Sequence, residues 1–510
     1  MPDLLRICSD VSLSVSHVDH TPFGSPSSTR LDETARALFR PLWTWMEAGD
    51  FEHAQLPSLA ERVCASPLMA KVAIPAGAGW RLREELLRPP AELSRPSVLA
   101  VGQEIRARLP ASHWAETHRV IAALYGPGLG DIKSLHSDIQ ALVDALQRSG
   151  IAVPWTDLEC HEGKRAQDEG AVAAGRAEVT FVGHNTVVVR DQSTALIIDP
   201  FLAAESPDHP CGYQPLQLDE LGQLDAVLIT HSHPDHFDLA SLLRIPPDTL
   251  VYVPEVEVEN TLTVDMARRL SELGFTRVRT LRWGDAVTIG SLGVRALPFF
   301  GEQPTDGDRL HPEIRNHGCV YRVQAPEWSA VFLADSGADL AGDVKQLASQ
   351  SHAEHGAVDL VFCGYRGWLT YPPQLLGSSV ARYLLFVPPE QWGVRMRLMN
   401  AIDDAIDVAE RWGARLLIPY GDGGAPWHWE IGLGPRLDGR GVEDSSFDPF
   451  PERVAEAAAR RSGTVDGKLI RSPVKVLILR PGESLRSVAD RPELVRLPGH
   501  VWPYPAEVSR

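Results

Sequence analysis

The 510-residue sequence lacks several features that would place it in a membrane or secretory class. No stretch approaches the ~18 uninterrupted apolar residues of a transmembrane helix, and the N-terminus lacks the basic-then-apolar order of a secretory signal. The six cysteines, at positions 8, 64, 160, 211, 319 and 363, are scattered and form no CxxC pair. They are typical of reduced thiols, and we expect a cytoplasmic protein.

Positive charge is also scarce, since 49 Lys and Arg residues stand against 67 Asp and Glu residues, a formal net charge of -18. Such a balance repels phosphate backbones, so we expect no nucleic-acid partner. Without an apolar span we also expect no membrane partner. The hydrophobic fraction of 44%, with 41 Gly and 40 Pro, fits a loop-rich globular α/β protein of two or three domains.

The most informative segment is 230–238, which reads Thr-His-Ser-His-Pro-Asp-His-Phe-Asp. Before it, the apolar and β-branched segment 224–230 is typical of a buried strand. The strand would end at three imidazoles and a carboxylate, those of His231, His233, Asp235 and His236. The first two can face one point and the last two a second point nearby, which suits a pair of zinc, iron or manganese ions. The alternative is a histidine-rich surface turn.

This motif resembles the His-x-His-x-Asp-His signature of the metallo-β-lactamase superfamily. Segments 179–189 and 195–200 are similar to the first two strands of that fold. Asp199 matches the aspartate that usually hydrogen-bonds a ligand histidine there. Segment 331–337 matches the strand whose terminal aspartate, here Asp335, bridges both metals. The resemblance implies the α/β class, with an αββα sandwich of the metallo-β-lactamase type.

The sequence departs from the hydrolases of this superfamily at the third histidine of the first metal site. The strand expected to carry it, 294–300, is followed by Gly-Glu-Gln, so Glu302 stands at the tip. The same replacement occurs in the diiron oxygenase branch, which is known from the β-hydroxylase of chloramphenicol biosynthesis. Carboxylates suit iron and can shift between terminal and bridging modes. The alternative is a loop carboxylate at 302, with His311 or His317 as the nitrogen ligand.

The last ligand expected from the family follows a late strand, here 414–420. Asp422 lies directly at the strand tip, whereas His428 is of the more usual ligand type. We favour Asp422 as the ligand and keep His428 as an active-site residue. The expected metal ligands are therefore His231, His233, Asp235, His236, Glu302, Asp335 and Asp422.

The chain is expected to divide into four segments. Residues 1–160 show helical periodicity, clearest at 134–150, and predict a mainly helical domain with some likeness to a winged helix. Such a domain would dock a protein or peptide or form a homodimer; the alternative is a plain helical cap on the metal domain. The other segments are a polar linker (161–176), a metal domain (177–440) with a lid insertion around 365–413, and a C-terminal extension (441–510).

The resemblance to the diiron branch implies two iron ions, an external electron donor and hydroxylation of an amino acid or acyl group held on a carrier protein or peptide. Asp335 would bridge the irons, and Asp235 and Glu302 are the other expected catalytic residues. His184 is expected close to the metals. Arg366 would pair with a substrate carboxylate or phosphate or, as the simpler alternative, cap a core carboxylate.

The rival interpretation is a dinuclear zinc hydrolase. Segment 183–186, Gly-His-Asn-Thr, together with Asp199-Pro200 is similar to branches that hydrolyse lactones or phosphodiesters. Two zinc ions there would turn a bridging water into hydroxide at neutral pH, and Asp235 would orient it. A third interpretation, a binding protein with a silenced site, is disfavoured by the intact ligand set.

Overall fold

The computed structural model of the chain describes residues 4–7, 13–17, 65, 69–74, 77–82, 96–100, 103–108, 114–125, 128–154, 178–191, 194–202, 215–233, 235–256, 263–301, 305–306, 309–310, 316–339, 341–367, 369–370, 396–397, 399–421, 450–461, 464–465, 468–469, 474–486, 488 and 492–496. Within these ranges two large β-sheets lie face to face, and helices cover both outer faces. None of the helices in these ranges is both long and apolar enough to cross a membrane.

The N-terminal part contains more strands than helices among its described residues. Its elements are β1 (Leu5–Ile7), β2 (Leu13–His17), β3 (Met69–Ile74), β4 (Gly77–Leu82), β5 (Pro96–Ala100), β6 (Gln103–Arg108), α1 (Trp114–Tyr125), a 3-10 turn (Ile132–Ser134), α2 (Ser137–Arg148) and β7 (Ala152–Pro154). Strands β3 and β4 pair with each other, β5 pairs with β2 and β6, and β1 pairs with β7. The prediction of a mainly helical domain is therefore not supported. Segments without a helical period form antiparallel strand pairs instead.

Helix α2 confirms the helix predicted from the periodicity of 134–150. It begins after His136, whose Nδ1 accepts a hydrogen bond from the backbone amide of Asp138 at 3.3 Å. The buried side chains of α2 are the ones that three- and four-residue spacing predicts, Ile139, Leu142, Val143 and Leu146. They share a core with α1 and with the outer face of the first large sheet. The N-terminal helices therefore pack directly on the metal domain.

The two large sheets contain strands from the whole remainder of the chain. Those of the first are β8 (Glu178–Gly183), β9 (Thr186–Asp191), β10 (Thr194–Ile198), β11 (Ala226–Leu228), β12 (Leu250–Pro254), β13 (Val278–Leu281), β29 (Glu483–Arg486) and β30 (Glu493–Arg496). Those of the second are β14 (Ala286–Ile289), β15 (Leu292–Pro298), β18 (Cys319–Gln324), β19 (Ser329–Phe332), β22 (Leu360–Cys363), β25 (Leu416–Pro419) and β28 (Lys475–Val476). The strand orders are β13-β12-β11-β10-β9-β8-β29-β30 and β14-β15-β18-β19-β22-β25-β28.

Helices and short hairpins connect these strands. The helices are α3 (Leu239–Leu242), α4 (Met266–Glu272), α5 (Val344–His355), α6 (Ile402–Arg411) and α7 (Pro451–Arg461). The two-residue strands of the hairpins are β16 (Thr305–Asp306), β17 (Arg309–Leu310), β20 (Ala338–Asp339), β21 (Gly342–Asp343), β23 (Leu369–Thr370), β24 (Met396–Arg397), β26 (Thr464–Val465) and β27 (Lys468–Leu469). Most of the lid expected around 365–413 lies outside the described residues.

Side-chain alternation along the strands divides the core into three apolar layers. In β9, Val187 and Val189 lie between the sheets, whereas Val188 belongs to the layer under α1, α2 and α4. In the second sheet, Phe332 lies between the sheets, and Val331 faces α5 and α6. The order of layers is thus helix, sheet, sheet, helix, and the αββα sandwich implied by the sequence resemblance is confirmed.

One predicted strand, 179–189, is instead the hairpin of β8 and β9. Its turn consists of His184 and Asn185, and the strands pair up to Gly183 and Thr186. The turn is possible because Gly183 adopts a φ of 142°, and His184 adopts a φ of 52°. The hairpin therefore presents two polar side chains at the edge where β10 and β11 end.

The C-terminal part of the chain supplies strands to both sheets. The charged helix predicted at 452–461 is present as α7, and the strand predicted at 474–479 is shortened to β28. Strand β28 pairs with β25, and β29 pairs with β8, where Glu483 lies opposite Phe181. The predicted C-terminal extension therefore contributes β28 to the second sheet and β29 and β30 to the first.

We expect Leu146→Ala to lower the free energy of unfolding by about 2–5 kcal/mol, the usual cost of a cavity in a packed core. Leu146 is fully buried in the layer that α2 shares with the first sheet. Urea denaturation followed by circular dichroism measures the change, with the exposed neighbour substitution Gln147→Ala as the control. Equal effects of the two substitutions would contradict packing of α2 on the metal domain.

Candidate metal centre

The candidate site lies at one edge of the sandwich, where parallel strands of both sheets end. Strands β10 and β11 run parallel in the first sheet, and β19, β22 and β25 run parallel in the second. Their carboxyl ends bring Asp199, Thr230, Asp335 and Gly421 to this edge. Polar side chains at such ends lie on rigid elements and can converge without entering the apolar layers.

The loop after β11 is held in a tight turn by its own backbone. The carbonyl of His233 accepts hydrogen bonds from the amides of His236 at 3.0 Å and Phe237 at 2.7 Å. The hydroxyl of Ser232 accepts a hydrogen bond from the amide of Val264 at 3.1 Å, which fastens the loop to the segment before α4. The turn brings the ring of His236 to 4.1 Å from that of His231 between centroids.

A first group of donor atoms comes from His231, His233 and Asp335. One nitrogen or carboxylate oxygen of each lies within 4.8 Å of the others, and all three residues are buried. Nε2 of His231 is buried and has no hydrogen-bond partner among the described residues. The imidazole rings of His231 and His233 are 4.6 Å apart between centroids. A buried imidazole nitrogen of this kind is a ready metal ligand.

A second group comes from His184, Asp235 and His236, whose donor atoms also lie within 4.8 Å of one another. Oδ2 of Asp235 is 2.8 Å from Nε2 of His184 and 3.6 Å from Nε2 of His236. The Asp235 side chain is 30% exposed, whereas the two histidines are buried. The structure thus brings His184, which the sequence places near the metals, into the same group as Asp235.

Asp335 lies between the two groups. Its Oδ2 is 3.7 Å from Nε2 of His231 and 3.4 Å from Nε2 of His236. The backbone before it is strained, since Ala334 has a φ of 48°. The amide of Ala334 donates a hydrogen bond to the hydroxyl oxygen of Tyr420 at 2.7 Å, so the end of β25 holds this conformation. One carboxylate can therefore serve both groups.

Asp199 fixes the orientation of His236. Its Oδ1 accepts a hydrogen bond from the amide of Thr230 at 2.7 Å, and its Oδ2 accepts one from the Thr230 hydroxyl at 2.6 Å. The same Oδ2 is 2.7 Å from Nδ1 of His236. Because Nδ1 donates to Asp199, the other ring nitrogen of His236 is available on the side of Asp235 and Asp335.

Burial and the close charges shift three pKa values in the site. Burial, followed by the charges of His236 and His233, lowers the pKa of His231 well below its usual value. Burial also acts to lower the pKa of His236, but the carboxylates of Asp235, Asp335 and Asp199 outweigh it and raise that pKa well above the usual value. For Asp235, burial acts to raise the pKa, and the charge of His236 and the hydrogen bond with His184 lower it well below the usual value. A neutral His231 and an ionised Asp235 suit a cation, which would have to displace the proton that the raised pKa of His236 favours.

Asn185, at the hairpin turn, is a site residue that the sequence did not single out. Its Nδ2 lies 3.0 Å from Nε2 of His236 and 3.2 Å from Nε2 of His184. Asparagine in a two-residue turn is ordinary turn chemistry, so its type gives no functional signal. Its position directly after His184 was the available clue.

The end of β15 is fastened beside Asp335. The ring of Phe299 lies 5.0 Å from that of His231 between centroids. The amide of Phe300 donates to Oγ of Ser336 at 2.9 Å, and the carbonyl of Phe300 accepts from the amide of Gly337 at 2.7 Å. The residues just before Glu302 therefore lie next to the first donor group.

The remaining predicted residues differ in what can be said of them. Arg366 is buried, and its Nη1 donates to the carbonyl of Gly421 at 3.3 Å, which places it against the end of β25. Among the described residues, His317 belongs to neither donor group. Glu302, His311, Asp422 and His428 lie outside the described residues.

The two donor groups fit a pair of divalent cations. They combine imidazole nitrogens with carboxylate oxygens and contain no thiolate, a set that suits zinc, iron or manganese. The unpartnered Nε2 of His231 and the shared Oδ2 of Asp335 both point to ions as the missing partners.

Comparison with known sequences identifies relatives that cover part of the chain. The family model of the beta-lactamase superfamily domain matches residues 194–420. The chain is 30% identical to 4-amino-L-phenylalanyl-[CmlP-peptidyl-carrier-protein] 3-hydroxylase of Streptomyces venezuelae over 205 residues. The aligned region covers 39% of this chain and 36% of that protein. Over 86 residues, the chain is 35% identical to a metal-dependent hydrolase of Cupriavidus necator, which is 16% of this chain and 29% of that protein. The chain thus spans about a third of the length of these two relatives.

Among solved structures, the crystal structure of CmlA, a diiron beta-hydroxylase from Streptomyces venezuelae, is similar over nearly the whole chain. The TM-score is 0.58 at 15% identity, with 98% of this chain and 100% of that chain covered. At this identity the likeness shows a shared fold.

We expect Asp199→Asn to weaken metal binding about 10- to 100-fold, because an amide cannot accept hydrogen bonds at both positions and leaves His236 misoriented. Competition with a chromophoric chelator for Co²⁺ measures the affinity. Asp225→Asn is the matched control, since Asp225 lies at the opposite end of β11 and accepts a hydrogen bond from the Ala195 amide at 2.8 Å. A similar loss of Co²⁺ affinity in both variants would mean that the loss comes from a disturbed first sheet and not from the orientation of His236.

Proposed function

The family model of the beta-lactamase superfamily domain matches residues 194–420, and from this match we propose that the protein is a dinuclear metal enzyme of the diiron oxygenase type. The observation that carries the proposal is the position of Asp335, whose Oδ2 lies within 3.7 Å of imidazole nitrogens from both donor groups. A carboxylate between two sets of imidazoles is suited to bridging two cations.

The proposed ligands of the first metal are His231, His233 and Glu302. Those of the second are Asp235, His236 and Asp422, and Asp335 is shared. Two observations support the carboxylates at 302 and 422. Position 302 follows Gly301, whose amide donates to Oδ2 of Asp339 at 2.8 Å in the loop region of Asp335. Position 422 follows Gly421, whose amide donates to the carbonyl of His184 at 3.1 Å.

Carboxylate ligands favour iron over zinc in this proposal. The described donor groups already contain two aspartates, and Glu302 and Asp422 would raise the number to four. A set this rich in hard, anionic oxygen suits iron and its changes of oxidation state better than a set of three histidines per metal does. The diiron relative with a similar fold supports the same choice.

The proposed reaction is hydroxylation of a carbon atom, with O2 as the oxygen source. One oxygen atom enters the C–H bond, the other leaves as water, and an external donor supplies two electrons while solvent supplies two protons. The pair of irons, when bound, supplies the O2 chemistry. The chain holds the ligands in place, since Asp199 orients His236, and His184 orients Asp235.

The proposed substrate is an amino acid or related acyl group on a carrier protein or peptide. The relative from Streptomyces venezuelae is named for a 4-amino-L-phenylalanyl group on a peptidyl carrier protein, and the chain matches 36% of it at 30% identity. In this proposal the carrier docks on the N-terminal part, whose helices α1 and α2 pack on the outer face of the first sheet. A cytoplasmic, homodimeric enzyme without nucleic-acid or membrane partners stays our prediction.

A zinc hydrolase is the second candidate, and Asp235 favours it. Its carboxylate is 30% exposed and is held by His184 at 2.8 Å, a position from which it would orient a water nucleophile. The relative from Cupriavidus necator, a metal-dependent hydrolase, is consistent with this chemistry. The feature of such hydrolases that is missing is the third histidine at the tip of strand 294–300, where Glu302 stands.

We expect protein expressed with both iron and zinc supplied to contain about two irons per chain by elemental analysis. Reduced protein should then consume O2, and His231→Ala should lose about one iron because it removes a ligand of the first group. The control is Asp225→Asn, which should keep both irons. About two zincs, with no O2 uptake and zinc-dependent hydrolysis of lactones or phosphodiesters, would establish the hydrolase instead.

We expect Glu302→Ala and Asp422→Ala each to lose about one metal per chain, because each removes a proposed ligand from a different ion. His428→Ala should keep both metals and lower turnover. Metal counting on the three purified variants decides between the residues. A full metal complement in Asp422→Ala together with a loss in His428→Ala would transfer the ligand role to His428.

A further inference from the structure

Asn185 is a polar side chain of the metal edge to which neither the ligand set nor the proposed reaction gives a role. It is 1% exposed, and its Oδ1 is buried without a hydrogen-bond partner among the described residues. A buried amide oxygen without a hydrogen-bond partner is unfavourable, because it has lost its contacts with water. Native proteins rarely accept that cost unless an ion or ligand completes the group.

The amide of Asn185 stands at ligand-to-ligand distances from the second donor group. Two atoms that bind one ion at about 2.1 Å, at roughly right angles, lie about 3 Å apart. Nδ2 of Asn185 is 3.0 Å from Nε2 of His236 and 3.2 Å from Nε2 of His184. Nε2 of His236 is also 3.4 Å from Oδ2 of Asp335. The amide head therefore belongs to the same cluster of atoms as the proposed ligands.

The orientation of the amide depends on whether a cation is present. Nδ1 of His236 contacts Asp199 at 2.7 Å, so Nε2 is the ring nitrogen that faces the Asn185 amide, with Nδ2 at 3.0 Å. A cation bound to Nε2 in place of a proton would repel the NH2 group and attract the carbonyl oxygen. A half-turn of the amide about its last side-chain bond exchanges the two atoms without moving the backbone.

The end of β25 leaves room for the atom of the amide that faces away from the histidines. Gly421 has a φ of 83°, and a Cβ built on it would lie 3.0 Å from Oδ1 of Asn185. A side chain there would be strained and would press on the amide. Glycine at 421 thus keeps open the space in which the amide of Asn185 can turn.

We propose that Asn185 is a neutral oxygen donor to the cation held by Asp235 and His236, reached by a half-turn of its amide when the ion binds. The proposal rests on the dinuclear site proposed above. An amide oxygen adds a hard ligand without adding negative charge. It would therefore hold the second cation in place while leaving the charge of the centre to the carboxylates.

The experiment is a titration of metal-free protein with Co²⁺, followed by its d–d absorption and by calorimetry. The variants are Asn185→Leu, which keeps the size and removes the donor, and Asn185→Asp, which keeps the shape and adds charge. Each is made in the natural chain and in a His231→Ala background, in which the second group alone is expected to bind. Circular dichroism and the thermal midpoint verify that each variant folds.

We expect two Co²⁺ per chain in the natural protein. Asn185→Leu should weaken one binding step about 10- to 100-fold and change the absorption of that step, and in the His231→Ala background it should weaken the one remaining step. Asn185→Asp should bind Co²⁺ at least as tightly as the natural chain. If Asn185→Leu titrates like the natural chain, with the same spectrum, the donor role of Asn185 is wrong. If the natural protein binds fewer than two Co²⁺, the dinuclear site itself fails.

Discussion

The buried carboxylate of Asp199 connects the strands of the first sheet to the histidine loop of the candidate metal site. It stands where β10 ends, with a φ of 44°, and is fully buried. Two of its hydrogen bonds hold Thr230, the last residue before the histidine loop, and a third contact orients His236. A buried carboxylate without partners would be costly. The end of β10, the histidine loop and the ring of His236 therefore stabilise one another through Asp199. The two donor groups are built outward from this point.

The sequence predicted best where one local signal agreed with one physical cause. The apolar segment before the motif became β11, and the three- and four-residue spacing at 134–150 became α2 with the expected buried face. The sandwich followed from the family resemblance, since the order of strands in a sheet depends on contacts between distant residues. Three imidazoles within six residues predict a metal site because any tight turn after a strand brings them together.

The rest depended on contacts that no local pattern contains. The segment 179–189 holds Gly183, His184 and Asn185 between two apolar runs, and the register of β8 with β9, together with the φ of 52° at His184, shows that the chain turns there. Asn185 resembles any turn residue until His236 is seen 3.0 Å away. The strands of the N-terminal part, β29 and β30 were not predicted for the same reason, because they are short and depend on pairing with other strands.

The pairing of β29 with β8 cannot form until synthesis of the chain has reached β29. Arg486 binds Glu178 at 2.9 Å, and the two strands that they belong to are separated by roughly 300 residues. At about 5–20 residues per second, a ribosome needs about 15–60 s to produce that interval. Throughout it, the outer edge of β8 presents unpaired amides and carbonyls to other nascent chains. Strand β29 therefore completes the pairing of β8 late in synthesis, and a chain truncated before residue 483 would leave translation with its first sheet incomplete.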